Sequence, residues 1–531
     1  MGSIDLKIKG DAVDTNVERI FNDNILDSYD EEEELSIRNL KRHDLTQVEG
    51  DDPILARKMF LINEAIDEIG FTWYHLKLFC IAGFGYSADS QLEMIQSSVK
   101  TYVDFQFGRS YPVATEIFYV GLICGSVFWG FGGDLIGRKW AFNLSLFFAA
   151  LFGFITGGMS SYATYCIFLF LNSFSAGGNI AMDVTVFLEY LPFKYQWLTT
   201  FLAAWWGVGQ TIAVLVAWAF IPKYSCDVSS GSCPSHLNKG WRYCWYVNSG
   251  IVMAGALLRL FAFKLDETPK FLVSNGRDEE AVESLRRVAE KYKRPFNLTV
   301  EQLKDCGDII SHHQADKSKL KNSIAQIKAH VKILFSTRLV AWSSFLVLFS
   351  WFLIGISYST FYNFLYIYIG LHGGNTGSST YIVYRNSAIS NFVGIFGPMV
   401  GGLMILIPKV GRRGTMAIGA ICAMAILFAY TTVRTQKGDA GFASATYFFV
   451  NIYYGCLYAY TPEIFPAQAR GTGTSLALVS CRISGSLAPV VYYYGQQSGS
   501  SIPIWVCGAC IGFLAFLALL MPFEPTKSRS V

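Results

Sequence analysis

The stretch that decides the fold is GSVFWGFGGDLIGRK (125–139). An apolar run ends in Gly132, Gly133 and Asp134, turns at Gly137, Arg138 and Lys139, and gives way at Trp140 to a second apolar run. Joining two membrane helices through so short a loop favours small residues, because glycine lets backbones approach closely. Asp134 can accept charge-assisted hydrogen bonds from a basic residue or from a helix N-terminus. Arg138 and Lys139 hold the loop on the cytoplasmic side. A generic basic turn would carry the same charges, so the rest of the chain has to choose.

It chooses a membrane protein. Of 531 residues, 52% are hydrophobic and only 16% charged, against about 25% charged in soluble domains. Mean hydropathy is +0.33. Apolar runs near the length that crosses about 30 Å of hydrocarbon recur along the chain. The net charge of +3 lies in loops and tails and does not form a nucleic-acid surface. No nucleotide-binding loop, metal-ligand spacing or catalytic set is present, so an enzyme and an ATP-driven pump are both excluded by expectation.

The pattern predicts an all-α membrane protein of about twelve spans in two bundles. Residues 1–72 read as an acidic, mostly disordered cytoplasmic tail with a short helix near Ile54–Ile69. Residues 73–263 form the first six-helix bundle, 264–338 a cytoplasmic linker with short helices, 339–521 the second bundle, and 522–531 a short tail. Basic residues set the orientation. Arg138, Lys139, Lys194, the linker, Lys409, Arg412, Arg413 and Arg470 fall on one alternating set of connections, which places both termini in the cytoplasm. A weak repeat supports the halves: GGDLIGRKW (132–140) and PKVGRRGTM (408–416) turn in the same way.

Most of the twelve cysteines lie in apolar spans, where a free thiol packs as a small hydrophobe. Cys226 and Cys233 bracket a polar loop on the outer side and are candidates for a disulfide. Asn297-Leu298-Thr299 is a glycosylation sequon in the cytoplasmic linker and is expected to be unmodified.

Ionisable residues inside spans are costly and point to function. Asp89 and Glu93 lie one turn apart in the first span, so they share a helix face. A carboxylate poised between burial and a nearby cation can bind and release a proton. Both are candidates for proton coupling, against a structural ion pair. Arg482, in SLALVSCRISGSLAPVV (475–491), needs a carboxylate partner or an anionic ligand. Tyr358, Tyr362, Asn363 and Tyr366 fall largely on one stripe of the seventh span, which suits a sugar, an aromatic acid or another small polar molecule, or else a packing face. Asp183, Gln210, Asn391, Asn179 and Asn386 add polar groups. Arg385 lies nearer the outer surface and can snorkel.

Several stretches resemble the major facilitator superfamily, and within it the synaptic-vesicle-glycoprotein-related, sugar-porter-like branch. They are NEAIDEIGFTWYHLKLF (63–79), GGDLIGRK (132–139), GGNIAMDVTVFLEYLP (177–192), DETPKFLVSNGRDEEAV (266–282) and SCRISGSLAPVV (480–491). The stretch 177–222 is most similar to fungal members. The resemblance implies alternating access by two six-helix bundles. It also implies that Asp134, Arg138, Glu189, Glu463 and Arg470 are gating contacts at the cytoplasmic face, with Arg412 in the corresponding second-half loop. That loop lacks an acidic residue where Asp134 stands, which predicts a weaker second latch. The expected function is a proton-coupled transporter of a small polar solute, an organic anion such as a carboxylate by preference. Asp89 or Glu93 would carry the proton and Arg482 the anion. The alternatives are a facilitative sugar carrier and a non-transporting sensor. The expected setting is the plasma membrane, as a monomer, with no cofactor.

Overall fold

The computed structural model describes residues 53–524, apart from 110, 137, 227–235, 263–266, 308–327, 329–330, 373–378, 408, 434, 466–468 and 499–500. For 53, 56, 131–141, 181, 262, 362–372, 436, 492 and 495–498 it describes the backbone alone. The acidic run Asp30–Glu34 therefore lies outside the described residues, as do Cys233 and the side chains of Asp134, Arg138, Tyr362, Asn363 and Tyr366.

The described residues are helical, with no strand. In chain order, the first three spans are Trp73–Gln106, Val113–Ile136 and Arg138–Gly158. The fourth is Tyr162–Ala176 continued by Asn179–Tyr190, the fifth Leu198–Leu202 continued by Ala204–Tyr224, and the sixth Gly240–Ala262. The seventh is Arg338–His372, the eighth Thr380–Gly394 continued by Phe396–Ile405, and the ninth Gly411–Tyr430. The tenth is Gln436–Ile464, the eleventh Arg470–Gly485 continued by Ala488–Ser498, and the twelfth Ile502–Leu520. Eight of these are long and apolar enough to cross a membrane by length and composition, and the third and fourth contain shorter apolar helices. The first and tenth run 34 and 29 residues but are more polar. The first carries Asp89 and Glu93, and the tenth is rich in Tyr, Thr, Ser and Asn. Polar spans of this kind belong in an interior rather than against lipid.

Local chemistry explains the boundaries. The first span starts at a capping box. Thr72 Oγ1 accepts from Tyr74 N at 3.3 Å, and His75 Nδ1 accepts from Thr72 N at 3.0 Å. It runs to Gln106, beyond an apolar limit near 97, because Lys100 and Asp104 continue the helix past its most apolar part. The fourth span breaks at Gly177–Gly178 and the eleventh between Gly485 and Ala488, just before Pro489, the residues at which helices interrupt.

The first span packs on the fourth, fifth and sixth, and the third on the fourth and sixth. In the second half the seventh packs on the eleventh and twelfth, and the tenth on the eighth and ninth. Two seams join the halves: second against eleventh, and fifth against eighth. Small residues make the first seam possible. A Cβ on Gly130 would fall 1.9 Å from Ser475 Oγ.

A second core lies at the linker. Helix Pro53–Ile69 buries Leu55, Met59, Ile62, Ile66 and Ile69, spaced by three and four residues, on Leu272, Val282, Leu285 and Leu303. Lys58 Nζ meets Asp278 Oδ2 at 2.5 Å in that core, and both are buried. Asp67 Oδ1 accepts from Phe193 N at 2.8 Å, and Arg294 Nη2 donates to Phe71 O at 3.3 Å. The short helix expected in the tail is thus an integral part of the linker module. On the opposite side of the bundle, Cys226 is disulfide-bonded, while the cysteines of the spans are free.

Candidate functional site

Arg482 of the eleventh span and Glu93 of the first meet between the halves. Arg482 Nη1 lies 3.1 Å from Glu93 Oε2, with the side chains only 6% and 12% exposed. Arg482 Nε has no hydrogen-bond partner among the described residues. A guanidinium has five N–H donors and cannot be neutralised, so this edge can donate to an anion. The Tyr454 hydroxyl lies 3.7 Å from Sγ of Cys481, the residue before Arg482.

Rings gather beside this pair. Tyr454 and Tyr458, one helical turn apart, have centroids 4.8 Å apart. Trp351 stands 5.6 Å from Tyr454 and 4.7 Å from Tyr458, and its Nε1 donates to Thr461 Oγ1 at 2.8 Å. From the other half, Trp206 reaches Tyr454 and Tyr458 at 6.4 and 6.3 Å, and Tyr86 reaches Tyr458 at 5.5 Å. Tyr358 is 5.3 Å from Tyr454, and its hydroxyl accepts from Gln210 Nε2 at 2.9 Å across the interface.

A separate polar network lies within the first half. Asp183 Oδ1 accepts from Arg259 Nη2 at 2.6 Å, and both residues are fully buried. Arg259 also donates to Phe142 O and Ile81 O, each at 3.0 Å, and stacks 3.4 Å from the Phe142 ring centroid. Asp89 Oδ1 accepts from Asn179 Nδ2 at 3.2 Å, and Asn179 Oδ1 accepts from Ser145 Oγ at 2.7 Å.

Contacts between the halves close both ends. At the linker end Arg470 Nη1 lies 3.9 Å from Glu189 Oε1, and Thr199 Oγ1 lies 3.5 Å from Glu463 Oε1. Glu463 also pairs with Arg412, and Arg470 Nε donates to Pro462 O at 2.8 Å. At the far end Tyr384 donates to Ser98 O at 2.6 Å, and Trp218 meets Tyr381 at 5.2 Å with the rings tilted by 58°. The second-half loop that lacks its own acid borrows one. Glu524 accepts from Arg412 N at 2.8 Å and Arg413 N at 3.2 Å.

Among the residues singled out in the sequence, the structure brings together Glu93 with Arg482, Gln210 with Tyr358, Glu189 with Arg470, and Arg412 with Glu463. Asp89 bonds to Asn179 rather than to Arg482, and Asp183 lies against Arg259. Asn391 turns back on its own helix, donating to Ser387 O at 2.8 Å, and Arg385 donates to Asn386 Oδ1 at 3.2 Å from an exposed position. Arg259, Tyr86, Trp351, Tyr454 and Tyr458 went unread. A signal for the last two existed in the four-residue spacing of tyrosines in NIYYGCLYAYTPE (451–463).

The family model for the Major Facilitator Superfamily matches residues 76–489. MFS siderochrome iron transporter 1 of Ceriporiopsis subvermispora (strain B) is 37% identical over 90% of this chain and 93% of its own. Synaptic vesicle 2-related protein of Rattus norvegicus is 23% identical over 89% of this chain and 82% of its own. The structure of the proton:xylose symporter XylE bound to 6-bromo-6-deoxy-D-glucose superposes with a TM-score of 0.64, covering 86% of this chain and 98% of that one. At 16% identity that likeness speaks to the fold alone.

Proposed function

The chain belongs to the Major Facilitator Superfamily, and from that premise we propose that this multi-pass membrane transporter is a proton-coupled importer of a small organic anion. The observation that carries the reading is the buried Arg482–Glu93 pair between the halves, with its unused guanidinium edge. An entering carboxylate takes Arg482 from Glu93. A carboxylate left buried without its partner is strongly destabilised, by about 3–5 kcal/mol, so Glu93 takes up a proton. One anion and one proton then cross together. When the anion leaves, Glu93 gives up its proton and pairs with Arg482 again, and the cycle is balanced.

Alternating access exchanges the two closures. The Glu189–Arg470 pair crosses between the halves and holds the linker end, the Arg412–Glu463 pair braces the second half behind it, and the loop motif assigns Asp134 and Arg138 to the same gate. Tyr384 and Tyr381 hold the far end. The linker end and both termini face the cytoplasm, the membrane is the plasma membrane, and the working unit is a monomer. Asp89, beside Asn179, is the second candidate proton carrier. A facilitative sugar carrier is the competing reading, supported by the Gln210–Tyr358 hydrogen bond across the interface.

The test is uptake into vesicles holding the purified protein, with carboxylates, sugars, phosphate and a ferric siderochrome as solutes. The siderochrome is included because of the Ceriporiopsis relative's name. Uptake of a carboxylate should fall as external pH rises, and Glu93→Gln should flatten that dependence. Unchanged pH dependence in Glu93→Gln, with loss of it in Asp89→Asn, moves the proton role to Asp89. Uptake of neutral sugars alone, indifferent to Arg482→Ala, removes the anion reading.

A further inference from the structure

We infer that Asp67 and His75 are positioning residues for the gate at the linker end, an inference that rests on the gating role proposed above for Glu189 and Arg470. The connection between the fourth and fifth spans carries both first-half gate contacts. Glu189 stands at its start, 3.9 Å from Arg470, and Thr199 at its end, 3.5 Å from Glu463. Between them the chain leaves the helix at Leu191, passes Pro192 and makes only the 3₁₀ turn Phe193–Tyr195. The hydrogen bonds of such a turn are poorly aligned, so it needs support from outside.

Most of that support comes from residues 67–75. Nδ1 of His75 accepts from Thr72 N, so Nε2 carries the proton and donates to Tyr190 O at 2.9 Å, with His75 and Tyr190 both buried. Asp67 Oδ1 accepts from Phe193 N at 2.8 Å. The Tyr74 ring meets Tyr190 at 5.3 Å, and the Phe71 ring meets Tyr195 at 4.9 Å. From the linker, Glu267 O accepts from the Tyr190 hydroxyl at 3.3 Å. The joint behind these contacts is stiff. Helix Pro53–Ile69 ends at Gly70, with φ 65°, and the first span begins at Trp73, directly after its cap Thr72. The helix is itself sunk in the linker core through Leu55, Met59, Ile62 and Ile66. A continuous run of packed groups therefore leads from the docked helix to the gate carboxylate. The Glu189–Arg470 contact is long for an ion pair, so the place of the Glu189 backbone decides whether it closes. Releasing the turn weakens the linker-end closure and shifts the population toward the state open at that end, at the expense of the state open at the far end.

The test is hydrogen exchange in the purified full chain, read by mass spectrometry at both ends of the bundle. His75→Phe keeps a ring and loses the bond to Tyr190. Asp67→Ala, at an exposed position, keeps the test open if His75→Phe does not fold. Each should raise exchange in 189–203 and lower it in 96–106 and 380–388, by about fivefold, the ratio that one hydrogen bond supplies. Glu64→Ala, exposed on the same helix, should change neither end. A merely local tie would speed exchange in 67–75 and 189–203 and leave the far end as it was, and that result overturns the inference. The same two-ended shift in Glu64→Ala also overturns it, since any disturbance of the helix would then suffice. Glu189→Gln tells the two readings apart. A two-ended shift in Glu189→Gln with none in Asp67→Ala leaves the gate standing and removes the positioning role, whereas no far-end change in Glu189→Gln overturns the gate reading and the inference with it.

Discussion

Gly85 shows how a residue without a side chain positions two that carry charge. A Cβ there would lie 1.8 Å from Asp183 Oδ2 and 2.7 Å from Arg259 Nη2. The bare backbone of the first span is therefore the surface on which that buried ion pair rests. Separating a buried pair leaves charge without compensation and costs about 3–5 kcal/mol. Gly85→Ala should lower the melting temperature of the purified protein markedly. Gly441→Ala, where a Cβ meets nothing within 4 Å, should leave it unchanged. Equal melting of the two variants would mean that the pair does not depend on Gly85. The same scale shows what the sequence can and cannot say. Arg482 stands out because it is alone in an apolar run. Its partner does not, since Asp89 and Glu93 share a face and only the tertiary fold turns one to Arg482 and the other to Asn179. Arg259 escapes notice because it is near the end of its span, where an arginine reads as snorkelling.

At the scale of elements, helix Pro53–Ile69 is the piece whose role changes most once it is seen in place. Its apolar stripe has the spacing of an amphipathic helix, so its existence was legible. Its docking was not, because the surface it covers comes from residues more than 200 positions away, with Lys58 and Asp278 separated by 220. A long-range core of this kind leaves no local pattern. The buried Lys58–Asp278 pair gives a test. Lys58→Met should strand the Asp278 carboxylate in the core and loosen the helix, read as faster hydrogen exchange in 53–69 and 269–285. Adding Asp278→Asn removes the stranded charge and should restore much of the protection, since a matched neutral pair replaces a buried ion pair at little cost. Exchange unaffected by Lys58→Met would show that apolar packing alone holds the helix.

At the scale of the whole molecule, the fold was read from loops and the working interior from the exceptions to hydropathy. Short Gly-basic turns report two six-helix halves because they recur at matching places. The first and tenth spans fall short of a membrane helix in composition because their polar faces meet between the halves, where Glu93, Tyr454 and Tyr458 lie. The second-half latch illustrates the limit. The loop has no acid of its own, and the carboxylates that serve it, Glu463 and Glu524, come from other parts of the chain. On the proposed reading, coupling belongs to this scale: a buried guanidinium shared between a first-half carboxylate and an anionic substrate would link proton and anion movement. The decisive measurement is proton flux in sealed vesicles holding the purified protein, recorded with an internal or external pH dye on addition of an organic carboxylate. Alkalinisation of the side from which the anion enters, present in the wild type and absent in Glu93→Gln, is the expected result. Carboxylate uptake with no accompanying proton movement would contradict it and leave the Arg482–Glu93 pair a structural tie between the halves.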